Sequence, residues 1–195
     1  MTKIIGLTGG IGSGKTTVAK YMESQGIPVY IADEEAKKIM ASNEVIAAVS
    51  KAFGTEILTV ENQIDRKKLA QLVFNQPEQL NRLNQIIHPK VKQHFTQWVK
   101  RHPDAPFVVK EAAILFETGG DHDCDSVITV TAPLETRIQR VIERDHTDRA
   151  SVLQRMQNQW TDEQRLAKSH YSILNITVKE TEIKTNEILN LLKNQ

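Results

Sequence analysis

The stretch IIGLTGGIGSGKTT occupies residues 4–17, and its reading decides the fold. Within it, Gly9 and Gly14-Lys15-Thr16 stand at the spacing of a phosphate-binding loop, G-x-x-x-x-G-K-[S/T]. The apolar run from Ile4 to Leu7 suits a buried strand, and Thr17-Val18-Ala19-Lys20-Tyr21-Met22 suits the first turns of a helix. Strand, loop, then helix is the setting in which the pattern carries meaning. Each residue type answers a chemical need. Glycine lets the backbone approach a phosphate without a Cβ in between. Successive N–H groups then point inward as an anion nest, and the helix N-terminus adds unsatisfied donors and partial positive charge. The candidate phosphate-binding residues are therefore Gly10, Ile11, Gly12, Ser13, Gly14, Lys15, Thr16 and Thr17. In such loops the lysine, here Lys15, reaches the β- and γ-phosphate oxygens of ATP, and the hydroxyl, here Thr16, is offered to Mg²⁺. A plain glycine-rich turn is the alternative. It does not explain why Gly9, Gly10, Gly12 and Gly14 are four of the nine glycines in the chain.

Around this stretch the composition is that of a globular protein: 195 residues, 39% hydrophobic and 25% charged. Aromatics make up only 5%, so the core is expected to be aliphatic. The 25 basic and 24 acidic residues leave a net charge of +1, which argues for neither nucleic acid nor a membrane surface as partner. One cysteine, Cys124, rules out an internal disulfide and a cysteine metal cluster and fits a reducing cytoplasm. The first twenty residues are taken up by the phosphate loop rather than a signal peptide. The expectation is a cytoplasmic protein, monomeric or weakly self-associating.

Downstream, a helix is expected over residues 14–24, ending at Gly26, and a strand over 27–31. Asp33 follows that strand. It reads either as a helix N-cap or as a carboxylate at the carboxyl edge of a parallel sheet, able to take a proton from an attacking hydroxyl. Residues 44–53 read as another helix. Residues 55–105 hold no obvious parallel strand and read as a helical insertion: 64–74 capped at Asp65, 77–87 with Leu80, Leu83, Ile86 and Ile87 on one face, and 89–100. His88 then falls at a helix boundary ahead of Pro89, where a cap or surface role is the ordinary reading.

A strand is expected from Phe107 through Phe116, interrupted by Glu111 and ended by Glu117. A carboxylate within a buried strand is costly unless paired or near a metal, so Glu111 is a candidate for holding Mg²⁺ through water, with an edge salt bridge as the alternative. The loop over 118–125 carries His122 and Cys124 among acids and reads as solvated. A strand over 126–131 leads to Pro133 and a helix with Arg137, Arg140 and Arg144 on one face. Either acids neutralise them or an anionic ligand does, with the arginines closing over ATP. Residues 134–168 read as a helical lid, its last helix capped by Thr161, followed by a strand over 171–178 and a helix over 180–193.

Taken together, these stretches resemble the dephospho-coenzyme A kinases. Gly6 to Lys15 matches that family's opening, Ala32-Asp33 the end of its second strand, and Ala113-Ile114-Leu115-Phe116-Glu117 its P-L-L-F-E segment. Asp65-Arg66 through Leu72-Val73-Phe74 to Ile87-His88-Pro89 resembles its substrate region. Arg140 to Arg144-Asp145, with Arg155 and Gln159, resembles its lid, and Tyr171 to Asn175 its last strand. Ala113 replaces the usual Pro, and Glu111 and His170 replace Asp; no role is assigned to His170.

The resemblance implies an α/β, adenylate-kinase-like phosphate-loop core of five parallel strands, with a helical substrate region and a helical lid. One kinase domain would span 1–195, with 1–34, 105–133 and 169–195 binding nucleotide, 55–104 holding the coenzyme and 134–168 forming the lid. The implied reaction moves the γ-phosphate of ATP, with Mg²⁺, to the 3′-hydroxyl of dephospho-coenzyme A. Asp33, Lys15 and Arg140 become the implied catalytic residues, and Arg140 and Arg144 join the ATP contacts. Asp33, Arg66 and His88 become the substrate contacts, and Thr16 and Glu111 the metal contacts. Another small-molecule or nucleoside kinase on the same core is the near alternative, and a nucleotide-dependent switch or assembly ATPase the distant one.

Overall fold

The computed structural model describes residues 2–73 and 76–194. The chain forms two compact units: residues up to Ala32 together with those from His102 onward, and Asp33–Arg101. The first unit is built on a five-stranded sheet in the order β2-β3-β1-β4-β5. Its strands are β1 (Lys3–Thr8), β2 (Val29–Ile31), β3 (Phe107–Glu111), β4 (Ser126–Thr131) and β5 (Tyr171–Leu174). Every pairing is parallel, with Leu7 opposite both Glu111 and Ile128, and Ile31 opposite Glu111. All five carboxyl ends therefore share one edge, where open α/β sheets bind their ligands.

A parallel sheet covered by helices needs apolar side chains on both faces, hence the near-continuous runs in β1, β3 and β4. Helices α1 (Lys15–Ser24) and α9 (Val178–Lys193) belong to this unit. Val18, Ala19 and Met22 of α1 and Ile188, Leu189 and Leu192 of α9 pack with Ile5, Leu7, Ile128, Val130 and Ile173 in its core. Phe107 is the aromatic member of this otherwise aliphatic cluster. Burying one such Leu or Ile contributes about 1.5–3 kcal/mol. Helices α6 (Leu134–Asp145), α7 (Arg149–Gln157) and α8 (Asp162–Leu166) complete the unit, with Thr161 and Gln164 forming a reciprocal cap on α8.

The second unit is helical. Helix α2 (Ala32–Met40) runs into it, followed by α3 (Asn43–Phe53), α4 (Arg66–Val73) and α5 (Pro77–Lys100). Its core joins Val45, Val49 and Phe53 of α3 with Ile57, Leu69 and Leu83. Asp65 caps α4, accepting from the N–H groups of Lys67 and Lys68. Phe74, expected at the end of that helix, lies outside the described residues.

Four expectations are corrected. Residues 77–100 form one helix of 24 residues with Pro89 inside it, so His88 lies mid-helix. Proline costs one N–H and crowds the carbonyl four residues back, about 3 kcal/mol. Leu83 before it and Phe95 after it are both buried on the same helix, and that burial outweighs the local penalty. Leu80 does not share that burial; it is 46% exposed. Strand β3 stops at Glu111, so Glu111 ends the strand rather than interrupting it; residues 113–119 are turns, with Leu115 and Phe116 in a separate cluster beside Val127 and Trp160. Strand β5 stops at Leu174, because Thr177 caps α9 through the N–H of Glu180.

Candidate active site

The phosphate loop links β1 to α1 at the carboxyl edge of the sheet. Gly14 sits at φ 90 as the residue preceding α1, a left-handed conformation that favours glycine. A methyl group there would lie 1.9 Å from Asn175 Nδ2, so close packing from behind demands glycine as well. Lys15 Nζ curls back to donate to the carbonyl of Gly9 at 2.9 Å. Thr16 and Thr17 are exposed in the first turn of α1, where the Thr17 N–H donates to the carbonyl of Gly14 at 3.0 Å. Ser13 is fully buried.

Side chains from far along the sequence hold the loop. Asn175 Nδ2 donates to the carbonyl of Ser13 at 2.9 Å, and Asn175 Oδ1 accepts from Thr181 at 3.0 Å. Gln159 accepts from the N–H of Ile11, and Arg137 donates to its carbonyl. The Ile11 N–H is therefore engaged by protein.

The three arginines of α6 have three different surroundings. Arg137 is buried and paired with Asp162; burial lowers its pKa, which the Asp162 charge opposes and Arg165 reinforces. Arg144 is exposed and bonds the adjacent Asp145, which also accepts from Arg155. Those bonds raise the pKa of Arg144 and hold Asp145 well below the usual carboxylate range. Arg140, like Arg137, lies against the loop: its Nη1 is 3.6 Å from the point a methyl on Gly14 would occupy. Its Nη2 donates to the carbonyls of Asn175 and Ile176 at 3.3 and 3.5 Å, while Nη1 is buried with no hydrogen-bond partner among the described residues. A buried guanidinium N–H without an acceptor beside an anion nest fits a phosphate oxygen.

Glu111 is 5% exposed and ends β3 opposite Leu7, one residue before β1 ends and the loop begins. The first unit thus brings together the loop, Arg140 and Glu111, and leaves Arg144 to Asp145. Asp33 is the second residue of α2, two positions past the end of β2, so it stands inside the first helical turn rather than at the N-cap. It belongs to the helical unit with Arg66, the first residue of α4, and His88. All three are exposed.

Among the described residues no three His, Cys, Asp or Glu side chains are grouped to hold a metal; His122 is exposed, whereas Cys124 packs against the cluster of Leu115, Phe116 and Val127 and its Sγ donates to the carbonyl of Gly120. Burial pushes the Cys124 thiol up to about 11. His170 has a backbone role: Nδ1 accepts from the N–H of Val127, whose carbonyl accepts the N–H of His170. No described helix is long and apolar enough to cross a membrane.

Residues 3–180 match the family model described as dephospho-CoA kinase. The chain belongs to the dephospho-CoA kinase family. A dephospho-CoA kinase of Fusobacterium nucleatum is 40% identical over 172 residues, 88% of this chain and 89% of its own. One from Bacteroides fragilis is 37% identical over 172 residues, 88% and 83% of the two chains. A crystal structure from Thermus thermophilus superposes with a TM-score of 0.88 at 33% identity, covering 97% of each chain. The five-stranded parallel sheet is thus the frame of a dephospho-CoA kinase, and ATP is the nucleotide its phosphate loop serves. The bracing residues Asn175, Gln159 and Arg137 were not legible as a group in the sequence; their bonds to the loop span more than a hundred positions.

Proposed function

We propose that Asp33, Lys15 and Arg140 carry out the reaction of a dephospho-CoA kinase, moving the γ-phosphate of ATP to the 3′-hydroxyl of dephospho-coenzyme A and releasing ADP. The observation that carries this reading is the buried, unpartnered Nη1 of Arg140 beside Gly14 of the phosphate loop. Asp33 orients the acceptor hydroxyl and takes its proton as the oxygen–phosphorus bond forms and the bond to ADP breaks. Lys15 and Arg140 offset charge on the moving phosphoryl group. Gly10 and Gly12 through Thr17 bind the phosphates, the Ile11 backbone being held by protein, with Arg144 at the margin. Arg66 and His88 contact the coenzyme. Residues 1–34, 105–133 and 169–195 serve the nucleotide, 55–104 the coenzyme, and 134–168 act as the lid.

Thr16 and Glu111 fit Mg²⁺: one is an exposed hydroxyl at the start of α1, the other a carboxylate at the end of β3, and hard cations take oxygen ligands. When bound, the ion neutralises phosphate charge.

The test is an assay of purified protein with ATP and a panel of acceptor alcohols. Stoichiometric ADP and coenzyme A, with dephospho-coenzyme A preferred over nucleosides and sugars, supports the reading. Preference for another acceptor, or ATP hydrolysis indifferent to all of them, overturns it.

A further inference from the structure

Both backbone polar groups of Ile11 are held from outside the phosphate loop. Its N–H donates to Gln159 Oε1 at 2.8 Å, and its carbonyl accepts from Arg137 Nε at 3.0 Å. Arg137 is itself pinned. Its Nη1 donates to Asp162 Oδ2 at 2.8 Å; Asp162 Oδ1 accepts from Arg165 Nη1 at 3.4 Å. Fully buried Arg165 donates to Glu117 Oε1 at 3.1 Å, which also accepts from the N–H of Trp160, the residue after Gln159. Two loop glycines are shaped to this arginine. A methyl on Gly10 would lie 2.0 Å from Arg137 Nη2, and one on Gly12 would lie 2.3 Å from the Arg137 carbonyl.

We infer that Arg137 and Gln159 are positioning residues for phosphoryl transfer, clamping the backbone of Ile11 on both sides so that the phosphate loop holds its shape before ATP arrives. An anion nest stabilises transferring charge only when its donors are already aimed, to within about 0.5 Å. A loop that must be ordered by its ligand gives up part of the binding energy to that ordering. The ion chain through Asp162, Arg165 and Glu117 makes the clamp rigid, because a buried guanidinium cannot leave its carboxylates without exposing an uncompensated charge. Residues 134–168 therefore do more than cover the nucleotide: they set the loop beneath it. The inference rests on the loop binding ATP and not on the identity of the acceptor.

The experiment is calorimetric titration with ATP, without acceptor, of the wild type, Arg137→Lys, Gln159→Met and the double variant, each checked for its melting temperature. Lysine keeps a positive charge beside Asp162 but lacks the fork that serves Asp162 and Ile11 together. Methionine keeps the length of glutamine without its acceptor. Each single variant is expected to weaken ATP binding about five- to thirtyfold. The double variant should lose no more than about threefold beyond the worse single, since both groups hold one residue of the loop. Melting temperatures should stay within a few degrees of wild type, and KM for dephospho-coenzyme A should be unchanged. Wild-type ATP affinity in the folded variants overturns the clamp. So does a loss that only follows falling melting temperature, or two losses that simply multiply. A wild type that binds ATP but leaves dephospho-coenzyme A unmodified removes the acceptor assignment and leaves the clamp standing.

Discussion

In the sheet-bearing unit, Ile11, Ser13 and Arg140 are each tied to groups far along the chain, whereas in the helical unit Asp33, Arg66 and His88 stand exposed on their helices. The contrast follows the chemistry asked of each. A triphosphate carries concentrated charge, and dipoles that stabilise it must be fixed beforehand. A carboxylate that takes one proton has to reach a hydroxyl in the assembled complex, and an exposed position leaves it accessible. The phosphate loop is preformed by tertiary bonds; the residues proposed for the acceptor stand on helices whose own core is elsewhere, at Val45, Val49, Phe53, Leu69 and Leu83.

The comparison breaks first at Lys15. Lys15→Ala should lower the rate of coenzyme A formation at least about a thousandfold, because a cation at the transferring phosphate is lost. Initial rates within tenfold of wild type would deny the loop its role. Next comes Asp33→Asn, expected to lower kcat about a hundred- to a thousandfold while ATP affinity, read by calorimetry, stays within twofold. If ATP binding collapsed as well, the division of labour between the units would be wrong.

Asn175→Ala sharpens the contrast in stability. It removes the donor to Ser13 and the acceptor for Thr181 in a residue only 4% exposed. The expected cost of about 1–3 kcal/mol lowers the melting temperature by several degrees. Arg66→Ala and His88→Ala, at exposed helix positions, should move it by less than about 2 °C. Equal shifts in a thermal-melt series would erase the distinction.

The smallest effect is expected at Asp145. Hydrogen bonds from Arg144 and then Arg155 hold its carboxyl below the unfolded value near 4. A depressed folded pKa gives stability that is present above about pH 4 and lost as the pH falls through the folded value. The group lies at the surface, so Asp145→Asn should lower the melting temperature at pH 7 by only about 1–2 °C, and that gap should narrow progressively below about pH 4. A gap that widens in acid would contradict the ion-pair account.

Much of the first unit was legible in the sequence because its signals are local. The phosphate loop, the helix stop at Gly26, strand β4 and the cap at Thr161 each rest on a few adjacent residues. Local rules failed where burial outweighed them. Pro89 was read as a helix break, yet α5 continues through it because Leu83 and Phe95 are buried on either side. The apolar residues after Glu111 read as more strand, yet they turn, with Gly120 donating to the carbonyl of Leu115 at 2.8 Å. Among the arginines, spacing put Arg137, Arg140 and Arg144 on one face and could not say which would find a carboxylate. Asp162 took the first and Asp145 the third.

The residue pattern alone settled that a phosphate-loop turn joins a strand to a helix near residue 15, since glycine freedom, a lysine and a hydroxyl at fixed spacing act over a single turn of chain. Only the tertiary structure decided which side chains hold that turn in shape. Gln159, Arg137 and Asn175 reach it from 148, 126 and 162 positions away, and the order of strands in the sheet, which no local pattern encodes, is what brings them there.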